Sequence, residues 1–579
     1  MVATVLRILL GLTLVLALAC GSAAPATPTT ASAPATEPTA APAESEPSQP
    51  TATPQAAAAP AEVEVNPGKV TQMIGSFGNE RFDTTFTSAA GRDYLTQIHA
   101  TLISSEIRDG RKVMAPGIAT EWQISSDGLT WTFTIRKGVK YHNGTEVTAA
   151  DALWSLQHTI GPQAGEYALS PASKSWSSIM DRIEQIGPDQ VSVTTKIADA
   201  GFADAMSDVL GSTTSAVLPK RATLHDVQEE EAYDRNPIGA GHMKLVNHVP
   251  AEVMTFERFA DYYQQPKYGF PIDKRVNFTL MDLRLVPEES TRVAALRAGE
   301  ADIAPVSLGA RKQVEAGGGR LVFAQEGMYF YIRLMGCWQP QFPCHDQRVR
   351  QALNYAIDKE LIRDTLYGPE VMQVKGWFMV TPSSIGYSPE LDPFPYDPDK
   401  ARQLLADAGY PGGKGFGKLI INTYVSASVP LLPESAQLGA EFWKRELGLD
   451  VEVRIGDEAA LKEVTQLTED LYGQIFWRDN ETKVNGSGTL RHSYGRPDIK
   501  IRAHNDPELF DQVQKALGVL DPVEQEKDWN SVYLQLRDEA WDISLGYINI
   551  PWGVGPRILT WQPDPISSWA SGLYTITLK

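Results

Sequence analysis

The side chains of this 579-residue chain that could do chemistry are sparse and widely separated. Its nine histidines are scattered, and no two stand three or four positions apart, so no preformed metal site is legible. The run Gly409-Tyr-Pro-Gly-Gly-Lys-Gly-Phe-Gly417 superficially suggests a phosphate cradle. It lacks the Gly-Lys-Ser/Thr ending, however, and follows a helical pattern instead of joining strand to helix, so it reads as a helix-exit loop. No Gly-x-Ser-x-Gly elbow, His-Glu-x-x-His or Cys-x-x-Cys pattern occurs. A hydrolase needs a nucleophile activated by a neighbouring base, and no such pairing is visible. The chain therefore reads as a non-enzyme without cofactor or resident metal.

The three cysteines are more informative. Arg7 is the only charge among the first twenty residues, and Ile8 to Ala19 form an apolar run of twelve. A membrane-spanning helix needs about 20 residues, so this run has the length of a secretory leader. It ends Val15-Leu-Ala-Leu-Ala-Cys20, with Ala at −3 and −1, and resembles a bacterial lipoprotein processing site at which Cys20 receives the lipid. The alternative is a plain leader cut at Ala19. Residues 1–19 thus read as signal peptide and 20–66 as a lipid-anchored, disordered Ala/Pro/Thr tract, too poor in apolar groups to offset its ordering entropy. As a coil its forty-five residues from Gly21 to Val65 reach roughly 40 Å, and fully extended polyproline reaches ~140 Å. Outside the cytoplasm disulfides persist. Six residues, Pro340 and Pro343 among them, separate Cys337 from Cys344, so a short disulfide loop is feasible. Closing it is worth about 2.5 kcal/mol by the chain-entropy argument; two buried free thiols are the alternative.

The elements that must position any site are mixed α/β. The net charge of −19, or −15 over residues 66–579, argues against a nucleic-acid partner. Trp131, Phe133 and Ile135 alternate with Thr132, Thr134 and Arg136 as in a half-buried strand, and Asn143-Gly144 marks a turn. Thr148 and Asp151 form a capping box for a helix carrying Leu153, Trp154 and Leu156. Asp397-Pro398-Asp399 opens another, whose stripe is Ala401, Leu404, Leu405 and Ala408. Val349, Ala352, Leu353 and Ala356 form a further stripe, with Asp358 placed to cap the next helix.

Several of these segments, in order, carry a resemblance. They are Ala115-Pro-Gly-Ile-Ala-Thr-Glu-Trp122, the run from Ser126-Asp-Gly128 to His142-Asn-Gly144, and Val147-Thr-Ala-Ala-Asp151. Asn236-Pro-Ile-Gly-Ala-Gly241 and Arg292-Val-Ala-Ala-Leu-Arg-Ala-Gly-Glu-Ala-Asp-Ile303 follow. The last are Asp346-Gln-Arg-Val-Arg-Gln-Ala-Leu-Asn-Tyr-Ala-Ile-Asp358 and Tyr396 to Tyr410. Together they resemble the family 5 extracellular solute-binding proteins, the oligopeptide, dipeptide and nickel binders of ABC importers. The likeness runs over roughly residues 67 to 579. One departure is clear. Where the family usually has Gly-Thr-Gly-Pro-Tyr, this chain has Gly239-Ala240-Gly241-His242-Met243.

The resemblance implies a periplasmic-binding-protein type II-like two-lobe fold with an extra inserted subdomain. Lobe one would be split over 67–105, 221–327 and 542–579, the extra subdomain would be 106–220, and lobe two 328–541. Peptide-like cargo would be held in the inter-lobe cleft and delivered to ABC permease subunits, with the chain monomeric and tethered to the extracytoplasmic face of the membrane. The implied cleft segment is Ile475, Phe476, Trp477, Arg478, Asp479 and Asn480, entered at Asp470. Asp479 would take the cargo amine and Trp477 would offer an apolar face. Gln474 stands where some relatives carry an Arg for the cargo carboxylate, and Ser88 would present backbone from lobe one. A nickel complex or another small solute as cargo, or a sensor or peptide-holding chaperone role, are the alternatives.

Overall fold

The computed structural model describes residues 65–579 except 88, 161–172, 174–175, 178, 211–214, 225, 427, 458–459, 462–472, 488–489, 491–492, 495–503 and 505. The leader, Cys20 and nearly all of the Ala/Pro/Thr tract lie outside the described residues, as do Ser88 and Asp470.

The first strand is β1 (Asn66–Ile74). β2 (Ile103–Arg108) and β3 (Arg111–Pro116) form a hairpin. β4 (Ala119–Ile124), β5 (Thr130–Ile135), β6 (Met180–Gln185) and β7 (Gln190–Thr195) make an antiparallel sheet in the order β4-β5-β7-β6. Trp131, Phe133 and Ile135 of β5 are buried, and Ala149, Ala152 and Leu156 of helix Ala149–Ile160 join them in one core. The helix opens on the expected capping box. The N–H and hydroxyl of Thr148 donate to Asp151 Oδ2 at 2.8 and 2.6 Å, and the Asp151 N–H donates back to Thr148 Oγ1 at 3.3 Å. Trp154, on another face of the same helix, packs into the larger core, so this helix links two cores.

The remaining major strands are β8 (Met243–Val249), β9 (Val253–Arg258), β10 (Phe278–Leu285), β11 (Ile303–Pro305) and β12 (Arg320–Arg333). They continue as β13 (Met372–Gln373), β14 (Lys418–Tyr424), β15 (Asp450–Gly456), β16 (Gln474–Glu481) and β17 (Asp542–Val554). Among the described residues they form with β1 one 11-stranded sheet, in the order β15-β14-β16-β12-β17-β11-β1-β10-β9-β8, with β13 also on β17.

The spine of this sheet is the β12–β17 ribbon, paired from Arg320 opposite Val554 to Arg333 opposite Asp542. Every residue of β17 is buried, as a strand covered on both faces requires. The ribbon's register shifts twice, by a bulge near its middle and again where Phe330 faces Gly546 and Tyr331 faces Ser544. Ala324 faces Ile550 and Met328 faces Ile548, so Gln325, Glu326 and Gly327 together oppose Asn549. On one side of this bulge β17 pairs with β11; on the other, β12 pairs with β16 and β17 with β13. Glu326 has φ +56°, an uncommon state for a residue with a side chain, and its neighbours hold it there. Its N–H donates to Asn549 Oδ1 at 3.0 Å, and Ser383 donates to its carboxylate through N–H and hydroxyl at 3.1 and 3.0 Å.

The glycine-rich run is a helix exit. Helix Pro398–Asp407 starts at Asp397, whose carboxylate accepts from Lys400 N–H at 3.0 Å. Gly409, Gly412, Gly413, Gly415 and Gly417 all have positive φ on the way to β14, which explains their residue type without a phosphate.

Candidate functional site

Four stretches of chain converge beside the bulge around a cavity of about 20 Å³. Asp204 and Val209 come from the segment that follows β7, Gly327 from the bulge, Glu481 to Val484 from the exit of β16, and Ile566, Ser568 and Trp569 from the chain after β17. Val209, Val484 and Ile566 pack together as a small apolar clamp. Ile566 is β-branched and has φ +53°, a strained state. Its N–H donates to Gln325 O at 2.8 Å, tying this wall to the bulge. A Cβ on Gly327 would lie 2.5 Å from Ile550 Cγ1 and 2.9 Å from Ser567 O, so the wall closes on the ribbon only with glycine there.

The rim is charged. Glu481 pairs with Arg92 of helix Arg92–Ile98, accepts from Ser568 Oγ at 3.3 Å and lies 3.5 Å from Lys483 Nζ. The Arg92 guanidinium sits 5.4 Å over the Trp569 ring. Burial pushes Asp204 up to about 7, with Lys483 and the Asn485 backbone pulling the other way. Burial, helped by Arg92, brings Lys483 down to about 8. Asp93 is pushed up by burial to about 6, although it accepts from Gln72 Nε2 at 2.7 Å and from Ala570 N–H at 3.2 Å. The cavity thus has an apolar floor and carboxylates and cations at its edge, and at roughly 10–15 Å³ per water it has room for one or two waters.

Residues 113–498 match the model of the bacterial extracellular solute-binding proteins, family 5. The chain belongs to that family. A curated relative, heme-binding protein A of Haemophilus influenzae, is 26% identical over 470 residues, 77% of this chain and 80% of that protein. The glutathione-binding protein GsiB of Pectobacterium atrosepticum is 30% identical over 300 residues, 51% of this chain and 53% of its own length. Among solved structures, DppA of Helicobacter pylori in complex with peptide STSA has a TM-score of 0.68 at 21% identity, covering 88% of this chain and 98% of that one. NikZ of Campylobacter jejuni in complex with Ni(L-His) gives 0.68 at 18% identity, covering 89% and 100%. The fold is that of the type II periplasmic binding proteins.

In this family 5 protein the residues expected to line the cleft separate into two groups. Trp477 is fully buried, its Nε1 donates to Ser435 Oγ at 2.8 Å, and a Cβ on Gly439 would come within 2.2 Å of its ring. The expected apolar face for cargo is therefore corrected. Alternation along β16 turns this ring toward helix Leu432–Leu447, where it packs as core. Ile475 is core as well, and Phe476 packs on Met335. Phe476 is paired on both edges, with Asn422 of β14 and Arg333 of β12, which leaves its backbone no free edge for an extended ligand. Asp479 is buried, and its two carboxylate oxygens accept from Tyr424 OH and Ser426 Oγ, each at 2.5 Å. Asn480 is half-buried and accepts from Glu481 N–H at 2.8 Å. Gln474 accepts from Asn422 Nδ2 at 3.0 Å through Oε1.

The cavity is lined by the next four residues, Glu481 to Val484, and the facing Arg92, Asp204 and Trp569 were not singled out from sequence. The Glu-Thr-Lys text that ends an apolar strand was the available signal for two of them. Two further features complete the inventory. Asp83, His158 and Glu230 are buried with ligand atoms within 4.8 Å of one another. Arg221 Nη2 fills the middle, 2.5 Å from Asp83 Oδ2 and 3.1 Å from both His158 Nε2 and Glu230 Oε1, so a fixed cation stands where an ion would. Burial and the neighbouring Asp83 push Glu230 up to about 9. Cys337 and Cys344 are joined as a disulfide, with Cα atoms 4.9 Å apart.

Proposed function

We propose that this chain is the lipid-anchored cargo-capturing component of an ABC importer, holding peptide-like solutes between two lobes on the extracytoplasmic side. The observation that carries the reading is the convergence of the β16 exit and the 566–569 wall on the bulge of the β12–β17 ribbon. A cleft beside such a crossing is where closure buries a ligand, and the ligand shifts the open–closed balance by its differential affinity. Lobe one comprises 67–105, 221–327 and 542–579, lobe two 328–541 and the extra subdomain 106–220; the first half of β17 runs beside the part of β12 that lies beyond the bulge.

Asp479 serves as the anchor for a cargo amine. Its buried carboxylate has two hydroxyl donors and no cation within ion-pair distance among the described residues, so an incoming ammonium supplies the missing charge. Ser88 contributes backbone from the facing lobe. Cys20 carries the lipid, the chain acts as a monomer, and the cargo is passed on chemically unaltered to membrane permease subunits. The test is mass spectrometry of solutes released by denaturing the purified protein. Peptides or peptide-like zwitterions are expected. Recovery of a metal complex, or of cargo chemically altered by the protein, would count against the reading.

A further inference from the structure

A second, larger cavity of about 110 Å³ lies behind Trp569, whose ring also borders the inter-lobe space. It is walled by β2 and β3, by Asp208, by the 262–274 segment and by the chain from Asp564 to Tyr574. At roughly 10–15 Å³ of probe-occupied volume per water it holds about eight waters, or a solute of similar atom count. His242 reaches it from the turn at which this sequence departs from the family pattern, and its Nε2 lies 2.7 Å from Gln97 Oε1.

Some buried acids of this protein are closed by direct ion pairs, as Asp542 is by Arg333 at 2.8 Å and Asp302 by Arg557 at 2.6 Å, and others by hydroxyl donors, as Asp479 is. Here Asp208 Oδ1 is buried without a hydrogen-bond partner while its Oδ2 accepts from Ser104 Oγ at 2.9 Å, and burial raises the Asp564 carboxyl against the pull of Lys112 and Lys274. Lys112 is 4% exposed, and among the described residues its ammonium meets Ser567 Oγ at 3.4 Å and the Trp569 ring at 5.9 Å. Lys274 donates to Ser105 O at 2.7 Å. Opposite charges are thus held apart around a partly open space instead of collapsing onto each other, and the two acids and two lysines cancel. An occupant that is neutral overall but carries both signs satisfies every one of these groups; a simple anion or cation leaves half of them unmet.

We propose that this cavity is a second binding site, for a small zwitterion of the α-amino-acid class. Asp208 and Asp564 take its ammonium, and Lys112 takes its carboxylate. The site is separate from the cargo cleft and goes beyond the importer reading.

Isothermal titration of the purified full chain with glycine and L-alanine tests it, with propionate and ethylammonium as singly charged controls. Saturable binding of the amino acids and none of the controls is expected. Lys112→Met and Asp564→Asn should each weaken binding about ten- to a hundredfold, the worth of one charged hydrogen bond. Asp479→Ala should leave it unchanged. No heat with either amino acid up to about 10 mM, or propionate binding as well as L-alanine, overturns the proposal, and both measurements use the unmutated protein. Binding lost in Asp479→Ala overturns it too, because the amino acid would then be occupying the cargo cleft. Failure of the importer reading alone leaves the amino-acid titration as it is.

Discussion

Arg92, the first residue of its helix, and Glu481, the last residue of β16, form an ion pair at the rim of the small cavity beside the bulge, joining two stretches of chain far apart in sequence. Both side chains are largely withdrawn from water, so the pair lies between the exposed and buried regimes and its loss should cost about 1–3 kcal/mol. Glu481→Gln is expected to open the cargo-free protein. Small-angle scattering should show a larger radius of gyration for the variant than for the parent, and equal radii would show that the pair does not hold the two stretches together.

Asp204 and Lys483 give the cleft a pH response. Asp204 titrates near 7 in the folded protein against an ordinary value of 3.8. The folded state therefore holds its proton more tightly than the unfolded chain, and the stability this gives is complete below about pH 4 and lost as pH rises toward 7. Asp93, near 6, acts in the same direction over a narrower range. Lys483, lowered from 10.5 to about 8, opposes folding when protonated, so its cost grows as pH falls from about 10.5 toward 8 and is constant below that. Asp204→Asn should melt higher than the parent at pH 8 and gain little at pH 5. A gain of equal size at both values would contradict the assignment.

Trp477 and Asp479 should respond in opposite ways. Trp477→Ala removes a fully buried ring and should lower stability by about 3–5 kcal/mol. Asp479→Ala should spare the fold more and weaken the affinity for the released cargo at least tenfold, as expected for loss of a charged hydrogen bond. Denaturant melts and cargo titration separate the two, and unchanged affinity in Asp479→Ala would end the amine-anchor role.

Close approach fixes another position. A Cβ on Gly201 would fall 1.5 Å from Ser487 Oγ and 2.5 Å from its Cβ, where the segment after β7 meets the chain beyond β16. Gly201→Val should cost about 1–3 kcal/mol by overpacking and hold the two sides apart. Scattering of the cargo-loaded variant should then show less compaction than the parent.

The disulfide loop is testable directly. Denatured, unreduced protein should show no reactive thiol from Cys337 or Cys344, and replacing both with alanine should cost about 2.5 kcal/mol.

Local structure was legible wherever a short-range rule decided it. The alternation of Trp131, Phe133 and Ile135, the Thr148/Asp151 box and the Asp397 cap are set by residues within a few positions of one another. The site was legible only to within a few residues, for a different reason. Whether Trp477 faces cargo or core depends on Gly439 and Ser435, and whether Glu481 lines a cleft depends on Arg92. Those partners are brought together by sheet order, which no local pattern in one sequence encodes. The cavity behind Trp569 is an extreme case, since its charged groups come from positions 112, 208, 274 and 564.

The β12–β17 ribbon has a mechanical corollary. Because both strands run unbroken past the bulge, each side of the molecule borrows its central strands from a segment that continues into the other. Neither side can be excised as a fragment with a complete sheet, and melting one strips the pairing from its neighbour. Heat should therefore dissolve the body in a single calorimetric peak, with no half-folded species for a protease to trap.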